Sequence, residues 1–78
     1  MVVAYMIALV DMGKEHEAAK AVSAIPGVEE VTVTYGSWDL VVKISADTLN
    51  ELDVIITKIR KVPEVEQTET LIGLEQQF

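Results

Sequence analysis

The chain has 78 residues with no cysteine and one histidine, which excludes disulfides, thiolate metal sites and any multi-histidine metal site within one chain. Acidic residues outnumber basic ones by 13 to 6, and the formal net charge of −7 disfavours independent nucleic-acid binding, which depends on lysine and arginine. A domain this small buries only about 60% of the surface of its unfolded chain. We therefore expect one domain over residues 1–78, stabilised by oligomerisation and needing no cofactor or metal.

The N-terminal half of the chain predicts a strand, a helix and a hairpin. Residues 2–10 form a strand that is apolar on both faces, so both faces should be buried. Over residues 14–25 apolar side chains recur with the spacing of an amphipathic helix, which Pro26-Gly27 ends. Residues 28–35 and 40–45 alternate as strands, and the glycine-containing segment between them predicts a hairpin loop.

The C-terminal half predicts a second helix and a last strand. Thr48 and Glu51 form a Thr-x-x-Glu capping box at the helix start, and Pro63 follows the helix end. Residues 65–74 predict a strand, and residues 75–78 a short tail. The order β-α-β-β-α-β predicts an α+β, ferredoxin-like fold, with a four-stranded antiparallel sheet and two helices on one face. The other face should pack against a second copy in a dimeric sandwich or barrel.

The sequence shows no pattern for export or for membrane insertion. The apolar N-terminal segment lacks the basic region that begins a signal peptide. No apolar run approaches the roughly 20 residues that a membrane-spanning helix needs. We therefore expect a soluble cytoplasmic protein that does not bind membranes.

Residues with catalytic chemistry are few. The four glycines are isolated, so none belongs to a phosphate-binding loop, and His16 lies between two glutamates on a predicted helix surface. We expect a binding module that is not an enzyme. Two alternatives stay open: a small dimeric α+β-barrel enzyme of the monooxygenase kind, with His16 or Trp38 in a closed cavity, and an assembly unit that binds no ligand.

The hairpin loop combines a glycine, an indole and a carboxylate within residues 35–39. Its backbone N–H groups could hold the carboxylate of a small zwitterion, and Asp39 could hold the ammonium group. Alternatively the loop is simply a stable turn, in which Asp39 accepts backbone N–H bonds and Trp38 packs. The residues by themselves are compatible with both interpretations.

Two motifs resemble the effector-binding domain of the Lrp/AsnC family of transcription regulators. The first is the Gly-x-x-Asp turn at residues 36–39 with the apolar strand after it, and the second is the valine before a Thr-x-Thr pair within residues 59–74. The resemblance covers nearly the whole chain. It implies a ferredoxin-like RAM module (regulation of amino acid metabolism) that dimerises through its sheets, commonly assembles into octamers and binds an amino acid between dimers. The ligand-binding positions that it implies are Gly36, Ser37, Trp38, Asp39, Gln67, Thr68, Glu69 and Thr70.

Regulators of this family carry a helix-turn-helix domain ahead of the module, whereas this sequence begins directly with the first predicted strand. The resemblance is therefore to the stand-alone form of the module. It implies a role in amino-acid sensing, or in modulating full-length Lrp/AsnC-type regulators through mixed assembly, without direct contact to nucleic acid.

Overall fold

The computed structural model describes residues 1–74, which form six elements in the predicted order. The strands and helices are β1 (Val2–Val10), α1 (Glu15–Ser23), β2 (Val28–Val33), β3 (Leu40–Ala46), α2 (Leu49–Arg60) and β4 (Val65–Ile72). The strand order is β2-β3-β1-β4, and every neighbouring pair is antiparallel. This arrangement confirms the predicted ferredoxin-like fold. The predicted tail, residues 75–78, lies outside the described residues.

The hairpin between β2 and β3 closes earlier than the alternating pattern predicts. β2 ends at Val33 and not at residue 35, because Thr34 makes its hydrogen bonds to residues later in the loop. The Thr34 N–H donates to the Asp39 carbonyl oxygen over 2.9 Å, and the Thr34 hydroxyl donates to the Trp38 carbonyl oxygen over 2.8 Å. These two bonds close the loop and hold its residues at one end of the sheet.

The second helix begins at the predicted cap, with one difference in its hydrogen bonds. The Thr48 hydroxyl accepts from the Glu51 N–H over 3.1 Å, which is half of the predicted capping box. The Glu51 carboxylate accepts from the N–H of Asp47 over 3.1 Å, one residue earlier than the box predicts. Both bonds satisfy backbone donors where the chain enters α2.

The core lies between the sheet and the two helices. β1 and β3 alternate between buried and more exposed side chains, as expected for strands with one covered face. The largest buried side chains are contributed by both central strands and both helices: Met6, Val22, Leu40, Val42, Ile44, Leu52 and Ile59. Within residues 1–74 no polar or charged residue is buried, so this layer is wholly apolar. Neither helix in that part of the chain is long and apolar enough to cross a membrane.

The side of the sheet away from the helices is uncovered within one chain, and we call it the open face. Register places the second set of β1 side chains there, together with neighbours on β3 and β4: Val3, Tyr5, Ile7, Leu9, Val41, Lys43 and Leu71. Tyr5 is 38% exposed and Leu71 is 57% exposed. β1 is therefore apolar on both faces as predicted, but one chain buries only its helix side.

Candidate functional site

The hairpin loop is anchored to the end of β1 by Asp39. The Asp39 N–H donates to the Ala8 carbonyl oxygen over 2.9 Å, and Asp39 Oδ2 accepts from the Val10 N–H over 2.9 Å. The carboxylate thus takes the place of a strand carbonyl beyond the last β1–β3 residue pair, Ala8 and Leu40. This is the turn-stabilising role that was one of the two interpretations of the loop. A role for Asp39 in ligand binding stays a prediction.

A groove runs between the hairpin loop and the start of α1, and we call it the hairpin groove. Its volume is about 540 Å³, and its lining comes from both elements: Glu15, His16, Val33, Thr34, Tyr35, Gly36 and Asp39. Gly36 has a φ of +118°, a conformation that glycine adopts far more readily than other residues. Two carboxylates and an aromatic ring border this groove, so its chemistry suits a positively charged group.

The other two loop residues have different surroundings. Ser37 is exposed, and Trp38 is half-buried with its carbonyl oxygen bonded to the Thr34 hydroxyl. Neither residue lines the hairpin groove. His16 is exposed in this open groove and does not lie in a closed cavity, so it lacks the surroundings that the barrel-enzyme alternative requires.

A second groove lies between α2 and the edge strand β4, and we call it the helix–strand groove. Its volume is about 470 Å³, and its lining is Ile56, Arg60, Val65, Glu66, Gln67, Thr68 and Thr70. Thr68 and Thr70 are half-buried and lie in register with the core residues Ala8 and Met6, which places both hydroxyls on the helix side of the sheet. Each hydroxyl can donate one hydrogen bond and accept others.

The four predicted positions on β4 therefore divide between the two faces of the sheet. Gln67 and Glu69 lie in register with Leu9 and Ile7, so both belong to the side of the open face, although Gln67 also borders the helix–strand groove. Glu69 is exposed and is not part of either groove. The alternation of strand side chains makes this division unavoidable for four consecutive residues.

Four residues of the helix–strand groove were not among the predicted site positions: Val65 and Glu66 at the start of β4, and the two α2 residues Ile56 and Arg60. The sequence placed Arg60 only as a favourable charge at the helix C-terminus. The spacing of the two residues, i and i+4, was the available signal, because it puts Arg60 on the same helix face as an apolar-stripe residue. Which strand that face meets depends on the packing of α2 along β4, and local pattern does not reveal it.

The two grooves lie at the same end of the sheet but at opposite edges. Val10 lies between the two grooves: its N–H donates to Asp39, which lines the hairpin groove, and its register partner Val65 lines the helix–strand groove. The hairpin groove borders β2 and the start of β3, where Asp39 lies, and the helix–strand groove borders β4, so two to three strand spacings separate the two linings, about 10–14 Å. Among residues 1–74, none lines both grooves. Within one chain, a single small ligand therefore contacts one groove or the other.

This fold and these motifs are those of a known family of ligand-binding domains. The chain matches the family model of the Lrp/AsnC ligand binding domain over residues 5–77, so it belongs to that family. The predicted family resemblance is confirmed.

Individual relatives agree with this membership. The chain is 36% identical over 72 residues to the HTH-type transcriptional regulator FL11 of Pyrococcus horikoshii, covering 92% of this chain and 48% of that regulator. A crystal structure of the hypothetical protein PHS023 from the same organism superposes with a TM-score of 0.90 and 44% identity, covering 97% of this chain and 93% of that one. A match to homocitrate synthase of Sulfurisphaera tokodaii is 43% identical over 56 residues, which is 72% of this chain and 12% of the enzyme. The chain spans about half the length, or less, of the curated regulators that it matches.

Proposed function

We propose that this chain is an oligomeric, amino-acid-binding regulatory module that modulates Lrp/AsnC-type transcription regulation in the cytoplasm without contacting DNA itself. The observation that carries the proposal is the helix–strand groove, in which Thr68 and Thr70 present hydroxyls beside apolar and charged side chains. Membership of the Lrp/AsnC ligand-binding family supports an effector of small-molecule size. A groove of about 470 Å³ is within the usual size range for such ligands.

The open face supports assembly through the sheet. Its apolar side chains run along β1 and extend to Val41 on β3 and Leu71 on β4, and exposed apolar patches mark interfaces in soluble proteins. A twofold dimer that packs two open faces together buries the same residues on both copies, so that neither copy exposes the apolar face of its sheet. Dimers then assemble into a larger ring, an octamer in the proposed form.

The separation of the two grooves supports a ligand site at a subunit boundary. Asp39 at the start of β3 and the threonines on β4 are two strand spacings apart, about 10 Å, which is longer than the separation between the carboxylate and ammonium groups of an amino acid. If one ligand contacts both Asp39 and the pair Thr68 and Thr70, then the two grooves belong to different chains. The acidic hairpin groove of one copy would then face the ammonium group of a ligand held in the helix–strand groove of another.

Charge and relatives support a role apart from DNA contact. The net charge of −7 opposes a phosphate backbone. The curated regulators are named as HTH-type, and the chain matches less than half of their length, so a mixed assembly with such a regulator is the proposed route to transcription. The resemblance to a short part of homocitrate synthase shows a similar segment within an enzyme, which fits a ligand-sensing unit that is not itself catalytic.

Calorimetry with the twenty protein amino acids tests the ligand site. We expect at least one to bind, and we expect the double substitution Thr68→Val and Thr70→Val to weaken its binding by about tenfold or more, since two hydroxyl partners are lost. Thr57→Val is the matched control, because Thr57 is exposed on α2 and lies in neither groove. If no amino acid binds, the ligand-free assembly unit is the better description of the protein.

A further inference from the structure

Two charged side chains flank β1 on the side of the open face. Lys43 on β3 is the register partner of Tyr5, and Glu69 on β4 is the register partner of Ile7. Each lies one strand spacing from β1, on opposite sides of it, and their rows are two residues apart along the strands, about 7 Å. The two opposite charges are therefore equally distant from a point on β1 between Tyr5 and Ile7.

Within one chain, Lys43 and Glu69 are kept apart by the strand between them. Two strand spacings, about 10 Å, separate β3 from β4, and the apolar side chains of β1 fill the space. Lys43 is half-buried and Glu69 is exposed, so water solvates both charges in a single chain. The surroundings of both charges change only when a second surface covers the open face.

Packing two open faces together takes both charges out of water beside an apolar patch. A charge in such an interface is unfavourable unless an opposite charge meets it there. A twofold axis that lies parallel to the sheets and crosses β1 obliquely between Tyr5 and Ile7 exchanges the two sides of β1. With this axis, Lys43 of each copy lies against Glu69 of the other, and both charges gain a partner in the same step.

A second acidic residue near Lys43 is unsuited to this role because of its strand. Glu30 is the register partner of Lys43 on the edge strand β2, two strand spacings from β1. The same axis carries that distance past the β4 edge of the other copy, where Glu30 stays in water. Glu69 is thus the acid whose distance from β1 matches that of Lys43.

We propose that Lys43 and Glu69 are the specificity pair of the open face, forming two symmetry-related ion pairs with a second copy that fix the register of the sheet-to-sheet dimer. This inference rests on the proposed assembly through the open face and names the residues that select the partner. The apolar side chains of β1 supply the buried area, and the two charges determine which alignment of the sheets is allowed. A surface lacking an acid and a base in these positions would be rejected by an unpaired charge.

Charge reversal followed by sedimentation velocity on the full chain tests the pair. Lys43→Glu and Glu69→Lys should each raise the dissociation constant of the dimer by about a hundredfold, since either change turns two attractions into two repulsions. An equimolar mixture of the two variants should assemble at a concentration at which each alone is dissociated. In the mixed dimer residue 43 of each copy again meets an opposite charge at residue 69 of the other. The double variant that carries both reversals should assemble by itself for the same reason.

Glu30→Lys is the matched control, because it makes the same change of charge as Glu69→Lys in the row of Lys43. It should assemble like the unchanged chain, and it should not restore assembly when mixed with Lys43→Glu. Circular dichroism checks that every variant keeps its helices, and a variant that fails to fold would not be rescued by mixing.

Two results overturn the pairing: single reversals that assemble like the unchanged chain, and a dissociation that neither the mixture nor the double variant reverses. If Ile7→Lys dissociates the assembly in those cases, the open face still stands as the interface and only the pair is wrong. An unchanged chain that stays monomeric throughout removes the proposed assembly and this inference together.

Discussion

Substitution of Asp39 tests how much the hairpin anchor stabilises the fold. Asp39 Oδ2 accepts the N–H of Val10, a residue that is 5% exposed, so Asp39→Ala leaves this donor without a partner in a nearly dry position. An unsatisfied buried donor costs about 1–3 kcal/mol of the free energy of unfolding. Asp39→Asn keeps an oxygen that can accept the same bond and loses only the charge, so its cost should be about half as large.

Urea unfolding followed by circular dichroism measures both variants. With a denaturant slope of about 1–2 kcal/mol per molar, a loss of about 2 kcal/mol moves the midpoint of Asp39→Ala down by roughly 1–2 M. All samples need the same protein concentration, because the proposed assembly would add to the apparent stability. An unchanged midpoint in Asp39→Ala would refute the assignment. Asp39→Asn is then the better variant for testing a role in binding, because a lost ligand in Asp39→Ala can follow from a disturbed loop alone.

Two further substitutions test the packing of the fold and the open face. Gly27→Ala should lower the free energy of unfolding by about 2–4 kcal/mol, because φ is +98° and a Cβ would overlap the Ile55 side chain. Gly13→Ala, with a φ of +79° and no atom within 4 Å of the added Cβ, should lower it by only about 1–2 kcal/mol in the same urea assay. Equal losses in the two variants would contradict the packing argument. Ile7→Lys should dissociate the proposed assembly, as measured by sedimentation velocity, because it places a charge in the centre of the open face. Val54→Lys, on the exposed side of α2, is the control and should leave the assembly intact. An assembly that survives Ile7→Lys would exclude the sheet as its interface.

The order and the kind of the elements could be predicted because each carries a strong local pattern. β1 begins and ends where an unbroken apolar run predicts, and Thr48 caps α2 as its position before an apolar stripe indicates. The end of β2 was wrong by two residues, because its position depends on hydrogen bonds between Thr34 and residues later in the loop. The alternation of apolar and polar residues does not encode the shape of the turn across which these bonds form.

The candidate site was predictable in its parts and not in its arrangement. The sequence indicated that Thr68 and Thr70 share a face, and register confirms it. It also offered both interpretations of Asp39: the structure shows the bond to Val10, which depends on where the end of β1 lies, and the ligand-binding role stays a prediction. Arg60 was missed as a groove residue because its position beside β4 depends on how α2 packs on the sheet, which local sequence does not show. Residues that come together through strand order leave no mark in local spacing.

β4 contributes residues to both the proposed ligand groove and the proposed assembly surface, because its side chains alternate between the two faces of the sheet. Thr68 and Thr70 face the helix–strand groove, while Glu69 and Leu71 lie on the side of the open face, so one edge strand serves both surfaces. β4 has a sheet neighbour on one side only, which leaves it less restrained than β1 or β3. If a ligand in the groove displaces the two threonines, we expect Leu71 to be displaced with them in the proposed sheet-to-sheet assembly. Because coupling between two binding events is reciprocal, a ligand that strengthens the assembly must itself bind more tightly as protein concentration rises.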